Sequence, residues 1–244
     1  MKRVFRFCLL AFIPLFSVAC SGSNRPQGNE VIIEDEVSDV DSSFVINLSK
    51  TEISNLLSYS ILVKRNNNEK TRKIAEEMYS RMSEEDKTTR TGYKITANLF
   101  PPPIAEVGDD MIDADLLDIN GNIKNISDYF DSNKYLLLDF WYKACGHCLY
   151  AFPEMKEVLE TYIENLIIIC ISFDTDDIWK KALSEFDNPW IKLRDPKFDG
   201  GLAANYGSIG APYYVMISPE GKVVDKWFGY GKGNFKKKVS ENIK

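Results

Sequence analysis

Two continuous apolar runs constrain this 244-residue chain more than any other feature. Leu136-Leu137-Leu138-Asp139-Phe140-Trp141 and Leu166-Ile167-Ile168-Ile169-Cys170-Ile171-Ser172-Phe173 lack the alternation of a half-exposed strand, so each must be covered on both faces. Between them, from Gly146 to about Glu164, the spacing becomes helical, with Phe152, Met155, Leu159 and Ile163 along one face. A helix is expected from Asp176 to Phe186. A hairpin should join Tyr213–Ser218 to Val223–Phe228 across Pro219-Glu220-Gly221-Lys222, and a last helix should close the chain. Strands alternating with helices, followed by an antiparallel pair, predict an α/β fold: a mixed sheet flanked by helices.

Directly after the first apolar run stand Cys145-Gly146-His147-Cys148, and His147 is the only histidine. With five cysteines, a chance pair at this spacing is about an 8% event, so the pair needs its context. Strand, turn, thiol pair, helix supplies it, because unpaired N–H groups and the helix dipole at a helix start favour thiolate over thiol. Two thiols so placed can cycle between dithiol and disulfide. A zinc half-site is the competing reading. It would need four ligands, yet beyond these residues only Cys20 and Cys170 remain after loss of a leader, so no metal is expected.

Met1-Lys2-Arg3-Val4-Phe5-Arg6, an apolar stretch from Phe7 to Val18 and then Ala19-Cys20 read as a secretion signal, too short for a membrane span. Ser17-Val18-Ala19-Cys20 resembles the bacterial lipoprotein box, with Ser where Leu is usual. Residues 1–19 are therefore expected to be a signal peptide, carrying Cys8 away, and Cys20 a lipid attachment site. The working chain would be exported, facing the cell envelope or periplasm and held to a membrane by acyl chains, in a compartment that permits disulfides. Loss of Lys2, Arg3 and Arg6 leaves 27 basic against 36 acidic residues, a net charge of −9. With no basic run outside the signal, nucleic acid is an unsuitable partner.

Residues 20–47 read as a flexible spacer, and 48–103 as a helical segment of unassigned role. Ser49-Lys50-Thr51-Glu52 is a capping box opening Ile53, Leu56, Leu57 and Ile61. Asn66-Asn67-Asn68 interrupts; Ile74, Met78 and Met82 mark a second helix, and Ser83-Glu84-Glu85-Asp86 the cap of a third. About fifty residues are few for an independent core, so two or three helices should pack on the following domain or on a partner. After Pro101-Pro102-Pro103, residues 104–244 have the size of one domain. It opens with an N-terminal β-hairpin over Asp115–Ile123, turning at Asn120-Gly121, and Ser127 should cap a short helix.

Residues 106 to 244 resemble the thioredoxin superfamily, most closely its exported TlpA-like thiol-disulfide interchange branch. Asp139-Phe140-Trp141, three residues, Cys145-x-x-Cys148 and then Pro153 stand in thioredoxin register. Gly207-Ser208-Ile209-Gly210-Ala211-Pro212-Tyr213 is similar to the loop that carries the family's cis-proline. The resemblance implies a thiol-disulfide oxidoreductase whose centre is the redox-active disulfide Cys145–Cys148, with no other cofactor. It implies protein dithiol or disulfide substrates and an upstream redox partner.

Each residue then has an expected role. Cys145, at an exposed helix start, would attack, and Cys148, one turn deeper, would resolve the mixed disulfide. His147, if protonated, would stabilise the thiolate; otherwise it is a solvated loop histidine. Asp139 interrupts an apolar strand and is a candidate general base with a raised pKa, or else a structural acid bonded to backbone. Ala211 and Pro212 would offer backbone to a bound peptide, unless Pro212 is an ordinary strand-entry proline, and Trp141 would pack beside the site. Cys170 reads as a small core hydrophobe and Pro153 as a tolerated kink. Two positions depart from the branch: Ala151 where a Glu is common, and Ala144 where a bulky aromatic is common. The Gly-His spacer is like that of protein disulfide isomerases, which leaves the direction of electron flow open. A thiol peroxidase is set aside because Leu138 and Tyr142 occupy the places of its Pro and hydroxyl residues. The rival from another class is a surface lipoprotein binding module, with the thioredoxin-like domain as scaffold and the helical segment as partner site.

Overall fold

The computed structural model describes residues 47–243. The expected signal, Cys20 and residues 20–46 of the spacer lie outside the described residues. The strands are β1 Leu116–Leu117, β2 Ile123–Lys124, β3 Tyr135–Trp141, β4 Leu166–Ser172, β5 Ile191–Arg194, β6 Tyr213–Ile217 and β7 Val223–Phe228. They form one sheet in the order β2-β1-β5-β4-β3-β6-β7. The two apolar runs are its centre: β3 pairs β4 in parallel from Tyr135↔Leu166 to Trp141↔Ser172, and on its other side takes β6 antiparallel, with Phe140 opposite Tyr213. The sheet is therefore mixed, as expected. β5 was not legible, because its four residues carry too little pattern.

Alternation along the strands divides the core. Leu137 and Trp141 of β3, Ile168 and Cys170 of β4, and Tyr214 and Met216 of β6 pack with α5 Gly146–Thr161, α6 Asp176–Glu185 and α8 Asn234–Asn242. Leu138, Phe140, Ile169, Ile171, Val215 and Ile217 face the other side, under α7 Leu202–Asn205 and a 3-10 turn at Ile126–Tyr129. That turn departs from expectation: Asn125 caps it, its N–H donating to Asp128 at 2.9 Å, while the Ser127 hydroxyl bonds back to Asp113. α5 also stops three residues early. The chain turns at Tyr162–Asn165 to enter β4, which leaves Ile163 exposed instead of on the buried face.

The N-terminal segment holds four helices, one more than the largest number expected: α1 Lys50–Asn66, α2 Glu69–Ser80, α3 Glu84–Lys87 and α4 Arg90–Leu99. The Ser49 capping box opens α1, with Glu52 accepting from the Ser49 N–H at 2.8 Å, and Asn67 ends it at φ 45°. Ser83 caps only one turn. Thr89 then starts α4, whose Ile95 and Leu99 complete a separate cluster with Leu48, Leu56, Val63, Ala75 and Met82. Val63 fills the place expected for Ile61, which is only half-buried. α4 also meets the sheet domain, where Lys94 holds Asp199 at 2.6 Å.

Candidate active site

The site lies where β3 ends and α5 begins. Trp141 accepts the N–H of Phe173 at 2.9 Å, and the Lys143 N–H donates to the Asp174 carboxylate at 2.7 Å, so β4 and the residues just after it fix the loop before the thiols. Asp174 is itself held by the Ser172 hydroxyl at 3.0 Å. Cys145 is the N-cap of α5, and its sulfur accepts the Cys148 N–H at 3.2 Å. The two cysteines are joined as a disulfide. In this oxidised form Cys145 is 5% exposed and Cys148 1%, so the attacking position is more shielded than the sequence suggested, although Ala144, Gly146 and His147 around it are exposed. His147 contacts the ring of Tyr150 edge-on at 6.3 Å.

The peptide bond Ala211–Pro212 is cis. Pro212 precedes β6, and continuing the β3–β6 register sets it beside Trp141. Its carbonyl is not free, since it accepts the Gly229 N–H at 2.8 Å. The free backbone edge is that of Ala211, which packs half-buried against the cluster containing both thiols and makes no backbone hydrogen bond among the described residues. Trp141 is 3% exposed and edge-on to Phe152 at 5.4 Å, so it floors the site and does not line its surface. Ile209, two residues before Ala211, is 74% exposed on the same loop, a feature that only its neighbours in space reveal.

Asp139 stands one residue pair below the strand end. By alternation it shares the face of Leu137 and Trp141, which α5 covers. Across the sheet it is flanked by Cys170 on β4 and Tyr214 on β6, with Lys192 beyond the first and Trp227 beyond the second. Asp139 is 1% exposed and, among the described residues, bonds to no backbone. The Cys170 thiol donates to its Oδ2 at 3.0 Å, and Oδ1 has no partner among those residues. Burial pushes its pKa from 3.8 to about 7, against the smaller opposing effect of that thiol. Burial, then the neighbouring Asp139, pushes the Cys170 thiol well up, so it stays protonated and keeps donating. Sequence reasoning missed this bond, which forms between strands 31 residues apart.

Ala151 is fully buried against the site, so the position that often carries a Glu offers no carboxylate here. Glu154, one position beyond Pro153, is occupied elsewhere: it accepts from the Tyr230 hydroxyl at 2.8 Å, the Gly233 N–H at 2.9 Å and the Lys236 N–H at 2.8 Å. Burial raises its pKa, but these donors outweigh burial and lower it overall. Among the described residues no group of three or more His, Cys, Asp or Glu side chains is arranged to hold a metal ion.

A disulfide at a helix start, a cis-proline segment beside it and a buried acid beneath define a thioredoxin-like domain. Residues 133–223 match the family model described as thioredoxin-like. The thiol:disulfide interchange protein DsbE of Pseudomonas fluorescens biotype C is 32% identical over 98 residues, 39% of this chain and 52% of that one. A thioredoxin of Chlorobaculum thiosulfatiphilum is 28% identical over 118 residues, 48% of this chain and 87% of that one. The thioredoxin domain of a thiol-disulfide oxidoreductase from Bacteroides vulgatus superposes with a TM-score of 0.50 at 25% identity, covering 57% of this chain and 99% of that domain. This domain is thioredoxin-like in fold, and the chain spans about half the length of the interchange protein it matches.

Proposed function

We propose that the protein is an exported, membrane-anchored thiol-disulfide oxidoreductase that exchanges disulfides with other envelope proteins through Cys145 and Cys148. The observation that carries the reading is the Cys145–Cys148 disulfide at the first turn of α5. The thiol:disulfide interchange relative supports it, as do the lipoprotein-like residues Ser17–Cys20 for export and anchoring through Cys20. In the reducing direction, the Cys145 thiolate attacks a substrate disulfide, forming a mixed disulfide and releasing one substrate thiolate. Asp139 then takes the Cys148 proton, and the Cys148 sulfur attacks Sγ of Cys145. The second substrate thiolate leaves, and the Cys145–Cys148 disulfide re-forms. The substrate gains two electrons and the enzyme loses two. The reverse sequence oxidises a substrate dithiol. The free backbone edge of Ala211 is the place for the substrate chain, and Trp141 supports the thiols from below.

Cys148→Ala removes the resolving thiol, so mixed disulfides should accumulate through Cys145 in cells and vanish in the Cys145→Ala, Cys148→Ala double variant. Absence of such adducts, with partner binding intact in both variants, would favour the scaffold reading in which the helical segment recruits a partner.

A further inference from the structure

Cys170 is a buried thiol to which the exchange steps give no task, and it touches the one carboxylate that they do use. As core filler, any small apolar side chain would serve at this position on β4. Its neighbour argues otherwise. A buried carboxylate with no partner is costly, and among the described residues Asp139 has one hydrogen bond, the one Cys170 donates to Oδ2 at 3.0 Å. Both residues are about 1% exposed and sit directly opposite in the parallel register.

The other titratable groups around Asp139 do not supply a second contact. From β6, Tyr214 faces it, but the Tyr214 hydroxyl makes no hydrogen bond among the described residues. From β5, Lys192 lies beyond Cys170 in the row and is half-exposed. From α5, Cys148 is held in the disulfide, and Glu154 is bonded to Tyr230 and the start of α8. The orientation of the carboxylate therefore depends on Cys170 alone.

We infer that Cys170 is a positioning residue for Asp139: its thiol fixes Oδ2 and leaves Oδ1 as the proton acceptor for Cys148. The inference rests on the general-base reading of Asp139. A donor at Oδ2 also favours the ionised carboxylate, so it keeps the base competent at neutral pH instead of leaving it protonated by burial. Replacing the thiol with an apolar group should free the carboxylate's orientation and make it a base only at higher pH.

The test is the pH dependence of the second release of glutathione when the reduced full chain reacts with glutathione disulfide, with Cys145→Ala as the blank. That release requires attack by Cys148. In the parent the rate should rise with pH to a plateau with a midpoint near 7. Cys170→Val should move the midpoint up by about one unit, making release about fivefold slower at pH 7. Cys170→Ser, whose hydroxyl can donate in the same place, should restore the parent profile. If valine is not accommodated, Cys170→Ala removes the donor and carries the same expectation. An unshifted midpoint in the donor-less variant, with the step lost in Asp139→Asn, would overturn the inference and leave Asp139 as the base. A shift that Cys170→Ser does not reverse would also overturn it, by assigning the effect to packing. Survival of the parent midpoint in Asp139→Asn would remove the general-base reading itself.

Discussion

At the scale of single residues, Asp139 is the proposed general base and also burdens the fold. Its folded pKa of about 7 lies above its ordinary 3.8, so the native state binds the proton more tightly than the unfolded chain. Below pH 4 both states are protonated and nothing is lost. Between pH 4 and 7 the native state holds more protons, so stability falls as pH rises, and above 7 the full penalty, on the order of 4 kcal/mol, is present. Asp139→Asn should therefore raise the melting temperature at pH 8 and change it little at pH 4, while slowing disulfide release. Equal effects at the two pH values would contradict the raised pKa. The sequence alone exposed Asp139, because a carboxylate inside Leu136–Trp141 breaks the pattern. It could not expose Cys170, whose type fits an apolar strand and whose role depends on which strand lies alongside.

At the scale of elements, α5 and α8 are joined through Glu154, which satisfies orphan N–H groups at the start of α8 from a position on α5. No residue near Gly233 provides this cap, so the sequence around α8 gave no sign of it. Glu154→Ala should destabilise the domain by about 2 kcal/mol, read as a lower denaturant midpoint, and hydrogen exchange should rise first in α8. Exchange that rises uniformly would mean that the cap is incidental. The elements with long patterns were legible in advance: the two central strands, α5 up to its end, and the β6–β7 hairpin. Of the short elements, the β1–β2 hairpin and a helical turn near Ser127 were anticipated, but β5 and α7 were not. Those two depend on sheet pairing and on groups outside the element, such as Asp195 accepting the Leu202 N–H at 2.7 Å.

At the scale of the whole molecule, the helical segment meets the thioredoxin-like domain through α4. The contact joins residues a hundred positions apart: Lys94 to Asp199 at 2.6 Å, and Gly200 so close to α4 that a Cβ there would lie 2.6 Å from the Tyr93 carbonyl oxygen. Nothing local in Arg90–Leu99 announces this docking. Gly200→Ala should force the turn away from α4, at a cost of about 1–3 kcal/mol, and increase proteolysis between α4 and Pro103 while the Cys145–Cys148 couple stays unchanged. If thiol exchange also fails in this variant, the segment belongs to the active unit and is more than an attachment. The most direct test of the account is the reduction potential of Cys145–Cys148, measured by equilibrating the chain with glutathione. An exchange centre should titrate as one two-electron couple between about −120 and −270 mV, the span of known dithiol oxidoreductases. A value below about −300 mV, or a pair that the glutathione buffer cannot reduce, would make the disulfide a structural staple and contradict the assignment.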